Sequence, residues 1–350
     1  MTSAISPRDW FSAETPASYG DIQEEYRLLR EGAALLDMST LGKLRVTGDD
    51  RLTYLQGQLS QDVLPLHEPG QGALSCLLKP TGQMLSDLVL FSTGDAFLLI
   101  TPPHTRHTVR QRLEQFVILE DVEIEDISDQ YALLHVAGPL AEACLRALGA
   151  ATPFPLWRGE SLRWQEQTLH LLRTDRSGEQ GYDLLVPGES VEPVRQRLRQ
   201  AGAQPAGYEA FQVRRVEAGI PLFGIDMDEN TIPLEVGLGE RAVSFTKGCY
   251  TGQEVIHRIY SRGHTNRSLV GLRLQGEALP PHRAPIHTAE RRDAGWVTSA
   301  VHSFSLAGGI ALGYLRNEYL APGTQVSVQT EHSPVGAQVT RLPFVEPRRA

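Results

Sequence analysis

The pattern of apolar residues changes near residue 265, and this change limits the folds open to the chain. Before that point, apolar residues recur at both helix and strand spacing. Beyond Arg267 the apolar runs are short and are separated by Gly and Pro; they span 269–274, 295–302, 310–315, 325–329 and 336–341. Short strands at this spacing are typical of a small all-β sandwich or barrel. We therefore predict an α+β region over 1–265 and a separate β domain over 266–350.

Two rounds of alternating strands and helices fill the first region. The first predicts helices over 21–37, 51–59 and 104–116, and strands over 43–47, 70–78, 83–91, 96–101 and 117–127. The second predicts strands over 131–136, 162–173 and 181–186, and helices over 140–148 and 191–201. Hairpins, such as one turning at Pro80 and Gly82, favour α+β layers over a doubly wound parallel sheet. We expect two lobes, roughly 45–130 and 131–265.

Composition excludes several classes of protein. No stretch approaches the roughly 20 apolar residues that span a bilayer, and the N-terminus lacks a secretory pattern, so no membrane partner is expected. Three widely spaced cysteines argue against a disulfide framework and for a reducing compartment, which predicts a cytoplasmic protein. A net charge of −9 disfavours direct nucleic-acid binding. Phosphate-loop, dinucleotide-fingerprint and zinc-ligand patterns are lacking, and no metal site is predicted.

The densest local signal is the cysteine loop, Lys247–Glu254, in which two glycines bracket Cys249. A thiol beside Lys247 and near a helix start has its thiolate favoured, as in nucleophiles and metal ligands. A free cysteine is also often a small buried hydrophobe, and spacing alone leaves both interpretations open. Cys76 and Cys144 lie in apolar strand and helix patterns, where simple packing is favoured.

Positive charge is concentrated around this loop, although the chain as a whole is acidic. Between Phe245 and Arg267, a single acid, Glu254, accompanies four cations: Lys247, Arg258, Arg262 and Arg267. Such a stretch is either a solvated loop or an anion-binding rim.

The segment Phe245–Val255 resembles the signature of the folate-binding protein YgfZ family, a relative of the aminomethyltransferase (T-protein) of the glycine cleavage system. Other similar motifs occur in the same order along the chain: Val46–Asp50, Tyr54–Gln58, Arg214–Pro221, Ile232–Glu235, Ile259–His264 and Asn266–Arg267. The resemblance extends from about residue 35 to 345. It implies an α+β, T-protein-like three-lobed fold. Two mixed α/β lobes would enclose a folate pocket, the N-terminal helix would pack on the second lobe, and an antiparallel β-barrel would follow.

The resemblance also implies a ligand, tetrahydrofolate, and residues that bind it. Ser177–Asp183 is similar to a T-protein motif whose glutamate contacts the pterin, which points to Glu179 with Tyr182 beside it. Gly82–Leu88 resembles the motif that carries the catalytic aspartate, here Asp87. Arg215 would line the pocket, and Cys249 would be the second catalytic group. The glutamate tail of the folate, or an acidic partner, would be attracted by Lys247, Arg258 and Arg262.

Two departures separate the chain from the T-proteins. Ser86 replaces the first acid of the aspartate motif, and Phe211 stands where the T-protein helix carries arginine. The cysteine motif belongs instead to the YgfZ branch. The resemblance therefore implies a tetrahydrofolate-binding accessory protein in the assembly or repair of iron–sulfur proteins, with effects on tRNA modification and with iron–sulfur clients or assembly proteins as partners. The alternatives are an aminomethyltransferase of glycine cleavage and a folate-sensing module without catalysis.

Overall fold

Three β-sheets with helices packed on them organise the chain. The structure is a computed structural model that describes residues 5–331 and 333–348 and, of Arg262, the backbone alone. The strands and helices below are numbered in chain order. Within the described residues, no helix combines the length and apolar character needed to cross a bilayer.

The first sheet has five strands, each antiparallel to its neighbours. In spatial order they are β3 (Gly72–Leu78), β4 (Met84–Ser92), β5 (Phe97–Thr101), β2 (Gly42–Thr47) and β6 (Glu123–Asp126). The β3–β4 hairpin turns at Gly82, which adopts a φ of 80°. Glycine accepts this left-handed conformation without the steric cost that a Cβ brings.

The second sheet has six strands and one parallel pair, β1 with β11. In spatial order they are β11 (Gln204–Pro205), β1 (Ala34–Asp37), β7 (Tyr131–Ala137), β10 (Gly181–Pro187), β9 (Gln167–Thr174) and β8 (Gly159–Trp164). Because β1 lies between β11 and β7, the N-terminal segment is built into the second lobe.

The third sheet closes on itself as a six-stranded antiparallel barrel. Around the barrel the strands are β12 (Arg267–Gln275), β15 (Gly308–Arg316), β14 (Gly295–Ser303), β13 (Pro285–His287), β16 (Gln325–Val328) and β17 (Val335–Thr340). Closure leaves the sheet without unpaired edges. The predicted fold class, two mixed lobes followed by an antiparallel barrel, is confirmed.

Eight α-helices connect and cover the sheets in the described residues. They are α1 (Ile22–Glu31), α2 (Arg51–Gln58), α3 (Arg106–Glu114), α4 (Ala141–Arg146), α5 (Val191–Gln200), α6 (Tyr208–Glu217), α7 (Gly239–Ala242) and α8 (Gln253–Arg262). The N-cap predicted for the first of them is present, since the Asp21 carboxylate accepts from the Gln23 amide at 2.8 Å.

Three predicted elements differ from the structure by more than two residues at an end. The helix predicted over 21–37 ends at Glu31, because Gly32 terminates it and residues 34–37 pair with β7 and β11. The strand predicted over 117–127 is shorter, Glu123–Asp126. The single strand predicted over 162–173 is the β8–β9 hairpin, which turns around Gln165, where φ is 52°.

Four apolar cores result from this layering. One core covers the outer face of the first sheet beneath α2 and α3, one covers the outer face of the second sheet beneath α4 and α5, and one fills the barrel. The fourth lies centrally and takes side chains from both lobes, α6 and the barrel. Helix α6 passes through the junction of all three units and orients them around this central core.

Candidate functional site

A cavity lies between the two lobes, against α6. The charged residues that line the cavity are Asp87, Asp175, Arg176 and Arg241. The aromatic residues that line it are Trp10, Trp157 and Phe211. These side chains come from the N-terminal turn Pro7–Trp10, β4, the α4–β8 loop, the β9–β10 loop, α6 and α7. The arrangement is an apolar, aromatic slot that holds a few polar groups.

Asp87 is the acidic group of this slot that has an unsatisfied atom. Its Oδ1 is sealed from solvent and has no hydrogen-bond partner among the described residues. Burial raises the pKa of Asp87 to about 6, and the nearby Arg176 guanidinium opposes that rise. A carboxyl group with such a pKa exchanges a proton readily near neutral pH, as general acids and bases must.

The neighbouring Ser86 faces the other side of the first sheet, as strand alternation requires. It is fully buried, and its Oγ lies 2.8 Å from the Thr105 Oγ1 just before α3. The acid that Ser86 replaces would therefore not reach the cavity. The departure noted at this position leaves the cavity itself unchanged.

Arg176 lies beside Asp87 because a buried acid holds it there. Its Nε donates to both oxygens of Asp183 at 2.9 and 2.8 Å, and Nη2 lies 2.6 Å from Oδ2. Asp183 is also 2.8 Å from His135 Nδ1 and accepts from Thr174 Oγ1 at 3.2 Å. Burial alone would raise the pKa of Asp183, but Arg176 and His135 hold it well below its ordinary value. Asp183 is therefore a permanent anion that fixes the guanidinium.

Trp10 provides a second unsatisfied group in the cavity wall. Its Nε1 is buried and has no hydrogen-bond partner among the described residues. Buried polar atoms are normally paired, and exceptions require an explanation. One unpaired N–H donor and one unpaired carboxylate oxygen would both be satisfied by a planar ligand that bears acceptors and N–H groups.

Glu179 lies outside the lining of this cavity. Its carboxylate is buried, forms ion pairs with Arg30 and with Arg214 Nε (the latter at 2.7 Å), and accepts from the Arg348 amide at 3.0 Å. The C-terminal segment Phe344–Arg348 covers it, since Phe344 N also donates to Glu217 O at 2.8 Å. Both oxygens are therefore already engaged, and pterin binding at Glu179 stays a prediction that this geometry does not favour.

Tyr182 and Arg215 are also buried away from the cavity lining. The Tyr182 hydroxyl donates to Glu142 Oε1 at 2.7 Å on the opposite face of the second sheet. Arg215 pairs with Asp226 and donates to Ser299 Oγ at 2.6 Å, which ties α6 to barrel strand β14. The structure gives both side chains interior contacts instead of the pocket positions predicted for them.

Lys247 is an internal clamp in the structure. Its Nζ donates to the carbonyl oxygens of Gln56, Leu59 and Gln61 at 2.6, 2.8 and 2.9 Å, at the C-terminal end of α2. Burial lowers the pKa of Lys247 to about 8. With all three donor positions occupied, the ammonium group has no free donor for a ligand tail, contrary to the predicted role.

The remaining predicted residues lie on the surface around α8. Cys249 is exposed, whereas Cys76 and Cys144 are buried as expected. The helix begins at Gln253 after Gly252, whose φ is 83°. Arg258 is exposed on this helix, and the side chain of Arg262 lies outside the described part of the chain. Neither Cys249 nor Arg258 lines the cavity, so the cysteine loop and the cavity are separate features.

Five charged or aromatic cavity residues were missed by the sequence reasoning: Trp10, Trp157, Asp175, Arg176 and Arg241. Arg176 directly precedes the Ser177–Asp183 motif, so that motif was the available signal. Trp10 carried no signal, because the N-terminal segment reaches the cavity only through tertiary packing on Phe211 and its neighbours.

Comparison with known proteins gives the family. Residues 7–247 match the GCVT N-terminal domain, and residues 267–346 match the glycine cleavage T-protein C-terminal barrel domain.

Relatives named aminomethyltransferase are similar over nearly the whole chain. The one from Rubrobacter xylanophilus is 31% identical over 343 residues, covering 97% of this chain and 91% of the relative. The one from Halothermothrix orenii is 31% identical over 347 residues, covering 94% and 93%. The crystal structure of glycine cleavage system aminomethyltransferase T from Bartonella henselae matches with a TM-score of 0.87 at 25% identity, covering 95% of this chain and 92% of that chain. The chain therefore belongs to the family of glycine cleavage T-protein (GcvT)-like proteins.

Proposed function

We propose that the cavity binds tetrahydrofolate and that the protein is an aminomethyltransferase of the T-protein type. The observation that carries the proposal is the unpaired, proton-exchanging carboxyl group of Asp87 in an aromatic slot between the two lobes. The names of the full-length relatives support the same activity. This function replaces the iron–sulfur role as the leading interpretation.

The residues of the slot suit a reduced pterin. Aromatic side chains favour planar rings, and Trp10 Nε1 supplies a donor for a ring acceptor. Tetrahydrofolate would supply the nitrogen that accepts the one-carbon group. Asp87 would hold or release the proton at that nitrogen, because its pKa lies close to neutral pH. Arg241, which is partly exposed and ion-paired with Asp175 at 2.5 Å, lies where a carboxylate tail could pair with it.

The test compares Asp87→Asn with Ser86→Ala, its immediate neighbour on the opposite face of the sheet. Both variants are titrated with tetrahydrofolate by calorimetry and then incubated with an aminomethyl-lipoyl donor protein. We expect Asp87→Asn to lower the transfer rate at least about a hundredfold, the scale at which a positioned acid contributes. Ser86→Ala should retain the rate of the wild type. Full transfer by Asp87→Asn would remove Asp87 from the chemistry, and folate binding without any transfer would leave a folate-sensing module.

A second candidate function rests on one separate observation, the exposed Cys249. An exposed thiol near a helix start suits a reactive group that meets a partner protein, as an accessory protein for iron–sulfur clients would need. Rescue of iron–sulfur enzyme activity in cells lacking the protein separates the two candidates. Loss of rescue by Cys249→Ala, with aminomethyl transfer absent in the wild type, would favour the accessory role.

A further inference from the structure

The charged residues of the cavity are arranged in two unequal groups. Asp175 and Arg241 form a direct ion pair at 2.5 Å and largely neutralise each other. Arg176 also forms an ion pair, but its partner Asp183 does not line the cavity. The field that Asp87 experiences inside the cavity is therefore set mainly by Arg176.

The other titratable neighbour of Asp87 is neutral. Cys76 is its cross-strand partner on β3, and burial, with Asp87 itself, raises the pKa of that thiol far above neutrality. Among the described groups that face Asp87 from β3, α7 and the β9–β10 loop, Arg176 is thus the one that provides net charge.

We propose that Asp183 is a positioning residue that holds Arg176 against the cavity, so that the charge state of Asp87 depends on an ion pair behind the site. The inference takes the importance of Asp87 from the proposed function, but its test needs no folate. Asp183 is nearly completely buried at 1% exposure, and Arg176 has 13% of its side chain exposed.

The bidentate pairing of Arg176 with Asp183 is the reason the guanidinium cannot swing away. A planar guanidinium that donates twice to one carboxylate has both its position and its orientation fixed. His135 and Thr174 contact Oδ1 of the same acid, which fixes the carboxylate in turn. His135, Thr174 and Asp183 lie on β7, β9 and β10 of the second sheet, and Arg176 lies on the loop that joins β9 to β10.

Loss of either end of this ion pair should affect Asp87 in the same direction, because each loss removes the Arg176 charge from the cavity. Arg176→Gln removes the cation, so the pKa of Asp87 should rise above its present value of about 6. Asp183→Asn removes the carboxylate that holds the guanidinium, so Arg176 leaves its place beside the cavity and the pKa of Asp87 should rise as well. At the dielectric typical of partly buried pairs, each change should be about one pH unit in the titration midpoint.

The experiment is a carbon-13 NMR titration of aspartate side-chain carboxyls in the ligand-free full chain. The Asp87 signal is assigned by its absence from Asp87→Asn. Glu142→Gln is the matched control, because it removes one acid from the opposite face of the same sheet, where Glu142 accepts from Tyr182. We expect an upward shift of the Asp87 midpoint for both Arg176→Gln and Asp183→Asn and no shift for the control.

A downward shift for Asp183→Asn, which would mean that Arg176 stays in place without its anion, or a titration of Asp87 that neither variant changes, would overturn the proposal. If Asp183→Asn does not fold, Arg176→Lys tests the proposal instead. Lysine keeps the positive charge but cannot form the bidentate contact with Asp183. The titration midpoint of Asp87 in Arg176→Lys should lie between those of the wild type and Arg176→Gln. A midpoint equal to that of the wild type would show that the bidentate contact with Asp183 is unimportant. Failure of folate binding leaves the titration readable, so the two proposals fail separately.

Discussion

At the scale of single residues, Asp87 differs from the other candidate residues because one of its carboxylate oxygens lacks a hydrogen-bond partner within the described part of the chain. Asp87 has an oxygen without a partner, whereas Glu179, Lys247 and Arg215 have nearly all their polar atoms engaged. An unpaired buried carboxylate destabilises the fold and is retained where a ligand or a reaction uses it.

Asp87→Asn should therefore stabilise the protein at neutral pH while it slows the proposed transfer. A pKa raised from 3.8 to about 6 means that the native state holds the proton more tightly than the unfolded state. The native state is accordingly destabilised as pH rises through 6, by up to about 3 kcal/mol. Urea unfolding should show the gain of Asp87→Asn at pH 8 and its disappearance below pH 4. An equal effect at both pH values would contradict the shifted pKa.

Cys249 should be alkylated by iodoacetamide before the other two cysteines. It is exposed, whereas burial raises the pKa of Cys76 and of Cys144 and keeps their thiols protonated and shielded. Peptide mass spectrometry after short labelling times measures the order, with Cys249→Ala as the blank. Equal slow labelling of all three would indicate that the loop shields Cys249.

At the scale of elements, the cysteine loop is attached to the first lobe through Lys247. The lysine caps the last carbonyls of α2, where a cation also interacts favourably with the helix dipole. A positive residue that the sequence suggested for ligand binding thus holds two elements together. The loop itself remains exposed at Cys249.

Lys247→Met should lower the free energy of unfolding by about 3 kcal/mol, because it leaves carbonyl oxygens without their charged donor. Arg258→Ala, on the exposed face of α8, is the control and should change stability by less than about 0.5 kcal/mol. Chemical denaturation followed by circular dichroism measures both. Equal stability of the two variants would mean that water replaces the ammonium group at no cost.

At the scale of the whole molecule, a buried ionic network joins parts that are distant in sequence. Glu179 connects α1 through Arg30, α6 through Arg214 and the C-terminal segment through Arg348. On α6, Glu217 accepts from Tyr26 at 2.6 Å and from barrel Ser303 at 2.5 Å. The network lies where the second lobe, the barrel and the chain end meet.

Glu179→Gln should destabilise the assembled molecule by about 3–5 kcal/mol, because two cations lose their common carboxylate partner. Thermal unfolding measures the loss, and Glu31→Gln, which removes the exposed pair with Arg348, is the control. Calorimetric folate titration of the folded variant tests the earlier interpretation. A tenfold or greater loss of affinity in a fully folded variant would show that Glu179 also contacts the ligand.

The sequence by itself determined the architecture. Periodicity and turn residues are local properties, so the hairpin at Gly82, the helix start after Gly252 and the all-strand region beyond Arg267 were predictable, and the resemblance of Gly82–Leu88 to a T-protein motif pointed to Asp87. The end of α1 was not, because residues 34–37 form a strand only in the presence of β7 and β11.

Tertiary structure alone decided which charged residues serve the cavity. Arg176 and Trp10 reach it because distant segments converge there, while Glu179, Arg215 and Lys247 meet partners from other elements first. A motif specifies residue type and spacing along the chain. Whether a charge faces a ligand or an ion-pair partner depends on contacts between segments far apart in sequence, and that information exists only after folding.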